Sequence, residues 1–565
     1  LISAGKGLDF SNSFLSVLVF LLCFPVIHRS LWNGARSIWS FLMSLVLVTA
    51  CCLGSRLEAL GYVWLTDWHM WAAMPFLLLF FMLLTDGLWG ILEDAGRYGK
   101  QEQEAAGIKR ETLYIFLFFL LVWGIVLLAV YPGFFVYDAQ DEFNQVAMRR
   151  FTTHHPLLHV VLLGGIISLG NKIFASYNAG IALYMVFQML LMAGCFTYIL
   201  SYFIQNRAPV LLRRAGVLYF DFFPVIQMYV LCSAKDTLYS AGMLLTIVLL
   251  LRLFREKAEF FSDQNKTALL LLSLFSMAAM RHNGFYILLL MIPVIILCAG
   301  KNCRVKAAAT ACTALLLYLL VSNGLAFVGM RRCRKTRKCS LCRFCSWPVY
   351  TTSPEVMTEE EKSVLLEVLP REALERYTPK LSDSVKIDFN NAAYKADPTG
   401  TGGCGVRGQK SACRLSERLA ADLLRLLAPD AVIDIPGNTV FTYTYEDSSY
   451  FGFETELPGT RDSKIPLLNE WFRRLSLELF QQKVPVVSML FSPGFLFLVY
   501  LSGLLFLMRR KQYKTVLAFL PAILNWLTVI LGPTYLVRYV LIFWLALPVL
   551  AYVVSTGKLC YTNRN

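Results

Sequence analysis

Apolar runs of about the length that crosses a bilayer, roughly 20 residues, follow one another along this chain, each closed by a short polar loop. They predict membrane-spanning helices over residues 13–27, 38–54, 71–91, 112–131, 179–203, 215–231, 237–254, 267–280, 285–299, 307–328, 487–508, 515–531 and 536–555, roughly thirteen in all. The stretch 330–485 lacks such runs and reads as a soluble insertion. The expected fold is an all-α polytopic membrane protein with an α/β or mixed extracytoplasmic domain inserted before the last three helices. Its parts are accessory N-terminal helices (1–111), a transmembrane core (112–329) with an outer loop at 131–178, the inserted domain (330–485) and the C-terminal helices (486–565).

Composition agrees: the 565 residues are 57% hydrophobic and 16% charged, and mean hydropathy is +0.55, outside the range of ordinary soluble domains. The net charge of +15 would suit nucleic acid in a soluble protein, but here it maps onto topology. With the end of the fourth span outside, the clusters Arg29/Arg36, Arg97/Lys100/Lys109/Arg110, Arg207/Arg213/Arg214, Arg252/Arg255/Lys257, Lys301/Arg304/Lys306 and Arg509/Arg510/Lys511/Lys514 all face inside. No nucleic-acid partner is expected. The segment 156–172 is apolar but short, and a crossing there would turn the downstream loops against the positive-inside rule. It is expected to lie at the outer interface.

That topology collects polar groups at one membrane face. The loop after the fourth span runs from Tyr131-Pro132-Gly133 through Asp138, Asp141 and Glu142 to His154-His155-Pro156. If the part after Tyr137 is helical, Asp138, Asp141 and Gln145 share a face by their three-and-four spacing. The same side receives Lys235-Asp236, Arg281-His282-Asn283, Tyr535 and Arg538. Each has a plainer reading, since ionisable residues at span ends often snorkel to the headgroups. His155 and His159, four apart, could ligate a metal, yet nothing completes a firm pattern, and no metal site is assigned. Asp221, inside the aromatic run Tyr219-Phe220-Asp221-Phe222-Phe223-Pro224, reads as structural.

Taken in order, Tyr131-Pro132-Gly133 with Asp138, His154-His155-Pro156, Ser233-Ala234-Lys235-Asp236, Arg281-His282-Asn283-Gly284, Ser492-Pro493-Gly494 and Gly532-Pro533 with Arg538-Tyr539 resemble an uncharacterised family of multi-pass bacterial membrane proteins similar to the GT-C glycosyltransferases. The resemblance covers about Leu113 to the end. It implies an inverting enzyme of the bacterial plasma membrane that takes a sugar from a polyprenyl-phosphate carrier and passes it to a cell-envelope acceptor on the outer face. Asp138 is expected as the base, with Asp141 as the other carboxylate. Arg281, Lys235 and Arg538 would hold the departing phosphate, and His154 and His155 would orient acceptor or phosphate. The sequence departs from the GT-C pattern in two places: Leu157 stands where a second Pro is usual, and there is no clear Asp-Asp or Asp-Glu pair at Asp138. Whether a divalent cation takes part is left open. A transporter or flippase of lipid-linked sugars is the alternative, and a non-catalytic anchoring protein explains the spans without the clustered Asp, His and Arg.

The insertion carries two stretches unlike the rest. In residues 331–345, seven of fifteen are Arg or Lys, alongside Cys333, Cys339, Cys342 and Cys345, where outward loops avoid positive charge. Residues 400–427 are rich in Gly, Arg, Ala and Cys. Both read as translated out of frame rather than as zinc or disulfide frameworks, a hypothesis that independent reads with an intact frame would end. Residues 383–389 and 471–480 look like a surface segment and an amphipathic helix. Tyr443, Tyr445, Tyr450 and Phe451 read as core aromatics before sugar-stacking ones.

Overall fold

A computed structural model of the protein describes residues 13–33, 37–54, 66–98, 108–136, 138–329, 363, 366–375, 388, 390, 457–477, 484, 487–530 and 537–556. Among these residues the fold is helical throughout, without a strand, and every apolar run of the sequence falls on a helix or a succession of short helices.

The N-terminal part comprises α1 (Ser13–Asn33), α2 (Ile38–Thr49, continued by a π-helical turn, Ala50–Gly54) and α3 (Trp68–Tyr98). The central part holds α4 (Ile108–Ala129), α5 (Ala139–Ala147), α6 (Leu157–Phe174), α7 (Tyr177–Gln205), α8 (Val210–Phe222), α9 (Pro224–Val230), α10 (Lys235–Glu256), α11 (Gln264–Met280), α12 (His282–Cys298) and α13 (Arg304–Gly329). The insertion contributes α14 (Arg371–Glu375) and α15 (Pro466–Leu477). The chain closes with α16 (Pro493–Arg509), α17 (Tyr513–Ala518), α18 (Leu520–Ile530), a 3-10 turn (Val537–Val540), α19 (Ile542–Leu545) and α20 (Leu547–Thr556).

Six helices, α3, α4, α6, α7, α10 and α13, are long and apolar enough to cross a membrane, and shorter apolar helices accompany them. The protein is a multi-pass helical membrane protein. Helix α10 is its axis: 94% of its apolar window is buried inside the protein. It runs parallel to α7, because Gln188 of α7 meets Cys232 just before α10 begins and Gln205 meets Arg252 near its end. The run expected at 215–231 is broken into α8 and α9 at Phe223-Pro224, where the proline ring supplies no N–H to continue the ladder.

Residues 156–172, expected to lie at the outer interface, form α6. By length and composition α6 qualifies as a span. Its start touches α5 through His159 and Glu142, and just beyond its end the Tyr177 ring packs on Phe143 of α5. Helix α5 thus packs along α6, with mid-helix Gly164 facing Val146.

The N-terminal helices dock on α16 through a polar seam. Arg509 pairs with Asp86 at 3.0 Å, Ser40 donates to Asp86, and the Trp89 indole donates to Ser502. From the insertion, α15 matches the amphipathic helix expected at 471–480, shifted toward the N-terminus. Its Phe472 is buried edge-on against Phe134. The chain before α15 is tied to the end of α4: Asp462 N–H donates to the Tyr131 carbonyl and Lys464 N–H to that of Leu128. Cys333, Cys339, Cys342, Cys345, residues 400–427 and Tyr443, Tyr445, Tyr450 and Phe451 lie outside the described residues.

Candidate functional site

Lys235 and the acids of α5 are far apart in sequence, and backbone pairing brings them together. Phe134 N–H donates to the Leu231 carbonyl at 2.9 Å, Ser233 N–H returns a bond to the Phe134 carbonyl at 3.0 Å, and Val136 N–H donates to Ser233 Oγ at 3.1 Å. This short parallel pairing pins the chain before α5 beside the chain before α10. Gly133 makes the entry turn: its φ of +123° suits glycine, and a Cβ there would collide with the Met185 side chain. Gln188, fully buried, holds the other strand by donating to the carbonyls of Tyr229, Val230 and Cys232.

At the meeting point Lys235 uses all its protons. Its Nζ lies 2.5 Å from Asp138 Oδ2, 3.1 Å from His155 Nδ1 and 3.4 Å from Glu142 Oε1, three acceptors for the three donors of an ammonium. Since Lys235 can only donate, His155 Nδ1 accepts, which leaves Nε2–H to donate to Asp141 Oδ2 at 3.0 Å. Arg538 Nη1 approaches Asp138 Oδ2 to 3.7 Å from the C-terminal helices.

A second proton order lies behind Glu142. The Gln188 amide nitrogen faces three carbonyls, so its oxygen accepts from Tyr184 Oη at 3.2 Å. Tyr184 then accepts from His159 Nε2–H at 3.0 Å, and His159 Nδ1 meets Glu142 Oε2. One proton therefore sits between His159 and Glu142, whose side chains are 0% and 1% exposed. Burial raises both acids of the cluster, but the cations outweigh it. Lys235 and Arg538 hold Asp138 well below the usual carboxylate value, and His159 and Lys235 hold Glu142 below its own. The hydrogen bond from His155 lowers Asp141, which is exposed.

The remaining predicted residues form a layer beside this cluster. Asp236, buried, pairs with Arg281 at 2.8 Å, and the Arg281 guanidinium stacks over Tyr539. Asn283 donates to Asn525 and Thr528, and the same Asn525 oxygen accepts from Tyr239 while its amide donates to the Tyr539 carbonyl. His154 is exposed, with its ring edge-on to His155, and the His282 side chain bonds the His154 backbone. Tyr535 lies outside the described residues. Next to the cluster opens a cavity of about 580 Å³. His155, Arg281 and His282 stand among its lining residues, with Leu157, Leu158, Val321 and Phe327 supplying apolar wall.

Of the expected shared face, Asp141 and Gln145 bond each other and Asp138 and Asp141 both approach His155, while Asp138 also turns with Glu142 toward Lys235 and Gln145 accepts from Thr152. His155 and His159 do not converge on one ligand, because each ring is committed to different partners. Glu142, His159, Tyr184, Gln188 and Asn525 were not among the predicted site residues. The available signals were the spacing of four between Asp138 and Glu142 at the start of α5, and again between Tyr184 and Gln188 on the largely apolar α7. For a metal ion, the ligand atoms of Asp138, Glu142 and His155 lie within 4.8 Å of one another, a spacing that suits carboxylate and imidazole ligation. The Lys235 ammonium already stands among them.

The chain matches a family of unknown function (DUF6020) over residues 146–397. It is similar to that family there. The matched part carries His155, Lys235 and Arg281 but begins after Asp138 and Glu142 and ends before Arg538. No curated protein and no solved structure matches. The comparisons add nothing to the GT-C resemblance, which rests on the motifs alone.

Proposed function

We propose that the protein is an integral membrane glycosyltransferase that moves a sugar, with inversion, from a polyprenyl-phosphate donor to a cell-envelope acceptor on the extracytoplasmic face of a bacterial plasma membrane. The observation that carries this reading is the meeting of carboxylates, imidazoles and cations at one end of the helix bundle beside a cavity with an apolar wall. Such a site offers a proton acceptor and phosphate-binding cations where a lipid-borne sugar would present its C1. The arrangement refines the expected roles. Asp138 is gripped by Lys235 and Arg538 and is a weak base. Asp141 is exposed, and its Oδ1 is the better proton acceptor for the attacking hydroxyl. Lys235 organises the acids, leaving Arg281 and Arg538 to meet the phosphate.

Turnover of radiolabelled polyprenyl-phosphate sugars by purified protein with an envelope acceptor mixture tests the reading. Asp141→Asn should abolish transfer at matched folding, and absence of transfer with every donor would end the proposal. The second reading, a transporter of lipid-linked sugars, draws on the broken α8–α9 helix around buried Asp221, a feature common at transport sites. It is separated by the same assay, because a transporter moves the donor without consuming it.

A further inference from the structure

Four carboxyl groups are buried among the described residues: Asp86, Glu142, Asp221 and Asp236. Three have cationic partners. Asp86 pairs with Arg509, Glu142 with His159 and Lys235, and Asp236 with Arg281. Asp221 differs: it is 0% exposed, and neither side-chain oxygen has a hydrogen-bond partner.

Among the described residues its surroundings offer no charge. Helix α8 packs mainly on α4, α7 and α9 and also touches α19 and the turn at Val487–Phe491, neither of which carries a charged or titratable residue. On α4 the charged residues are Lys109, Arg110 and Glu111, all in the first turn, and Glu111 is engaged by Arg213 near the start of α8, two turns before Asp221. Helices α7 and α9 carry no Asp, Glu, Lys, Arg or His. Their ionisable groups are the tyrosines Tyr177, Tyr184, Tyr198, Tyr202 and Tyr229 and the Cys195 thiol, and α4 adds Tyr114. Around Asp221 in sequence the packing is aromatic: Phe220 stacks on Phe196, Phe222 meets Phe118 and Phe223 stacks on Phe491. Tyr219 gives its proton to the Trp544 carbonyl. An ionised carboxylate sealed in such a place has neither water nor countercharge, and the group avoids that penalty by keeping its proton.

We infer that Asp221 is a proton-binding site within the helix bundle, separate from the cluster at Lys235, whose carboxyl keeps its proton at pH values where an ordinary aspartate is ionised. Its position gives it a lever on the rest of the molecule. It lies at the end of α8, directly before the break at Phe223-Pro224, and the short α9 beyond the break ends in the carbonyls that Gln188 holds. Lys235 follows within a few residues.

The test is infrared spectroscopy of the full chain in lipid vesicles, with aspartate labelled by carbon-13 at its side-chain carboxyl. The measurement is made at about pH 6, some two units above an ordinary aspartate's value of about 3.9, where ordinary aspartates are ionised. The expected result is an isotope-shifted C=O band of a protonated carboxyl that disappears in Asp221→Asn. Asp221→Glu is the second variant: it keeps an acid in place but takes it out of the labelled set, so it too should lose the band. A wild-type spectrum without protonated aspartate overturns the inference whether or not either variant folds, and so does a band that survives both substitutions.

Discussion

Replacing Lys235 with methionine keeps the length of the side chain and removes the ammonium. In the folded protein this leaves Glu142, 1% exposed, with one cationic partner instead of two, and Asp138 with Arg538 at 3.7 Å as its nearest remaining countercharge. Breaking a buried pair by removing one member costs about 3–5 kcal/mol. Because His159 still faces Glu142 and Asp138 is a third exposed, the expected loss is about 2–4 kcal/mol. Equilibrium unfolding in mixed micelles at neutral pH, followed by tryptophan fluorescence, measures it. Adding Glu142→Gln to Lys235→Met removes the buried negative charge that the first substitution exposed. The double variant should therefore be more stable than the sum of the single losses by about 1–2 kcal/mol. If Lys235→Met unfolds within about 0.5 kcal/mol of wild type, or if the two losses simply add, Lys235 does not organise the acids and the account of the site given above fails.

Three further outcomes follow from the same geometry. Asp138 and Glu142 are lowered in the folded state, so their stabilisation is complete above the ordinary values of 3.8 and 4.5. It declines as pH falls below those values toward the depressed folded ones, and an acid titration of stability should be level from neutrality down to that region before falling. A loss that begins near neutrality would contradict the assignment. Gly133→Ala forces a non-glycine residue to a φ of +123° against Met185, at a cost of about 1–3 kcal/mol. Since Gly133 leads into the pairing that places Asp138, any transfer activity should fall with stability, and an unchanged melting midpoint would argue against that turn. Finally, Lys235→Ala vacates the position among Asp138, Glu142 and His155, so manganese at about millimolar concentration should raise the variant's melting midpoint and leave that of wild type unmoved. An equal rise in both proteins would show that the ammonium does not compete for that place.

The sequence by itself determined the helices. Apolar length and the polar loops between the runs are local properties, and the thirteen apolar runs recur as helices or successions of short helices within a few residues at most boundaries. It also determined which residues stand at helix ends: Lys235, Asp236, Arg281, His282 and Asn283 occupy the junctions where the periodic runs begin or stop. The expected interfacial placement of residues 156–172 rested on the charges around them, whereas by length and composition α6 is one of the helices able to cross a membrane.

What the sequence left undecided was the pairing. Asp138 and Lys235 are 97 positions apart, Glu142 and Lys235 93, His155 and Lys235 80. Nothing in local periodicity says which carboxylate meets the ammonium. The tertiary structure decided it through the backbone bonds that lay residues 134–136 beside 231–233. That register turns Asp138 and Glu142 inward and leaves Asp141 exposed. Gln188 was invisible for the same reason. A lone glutamine in an apolar helix gains meaning only when the carbonyls freed near the end of α9 arrive opposite it, and a buried polar group is stable only where such partners exist. Asp221 shows the converse. The sequence marked it as an isolated acid in an aromatic run, and only the packed structure showed that no partner among the described residues reaches it.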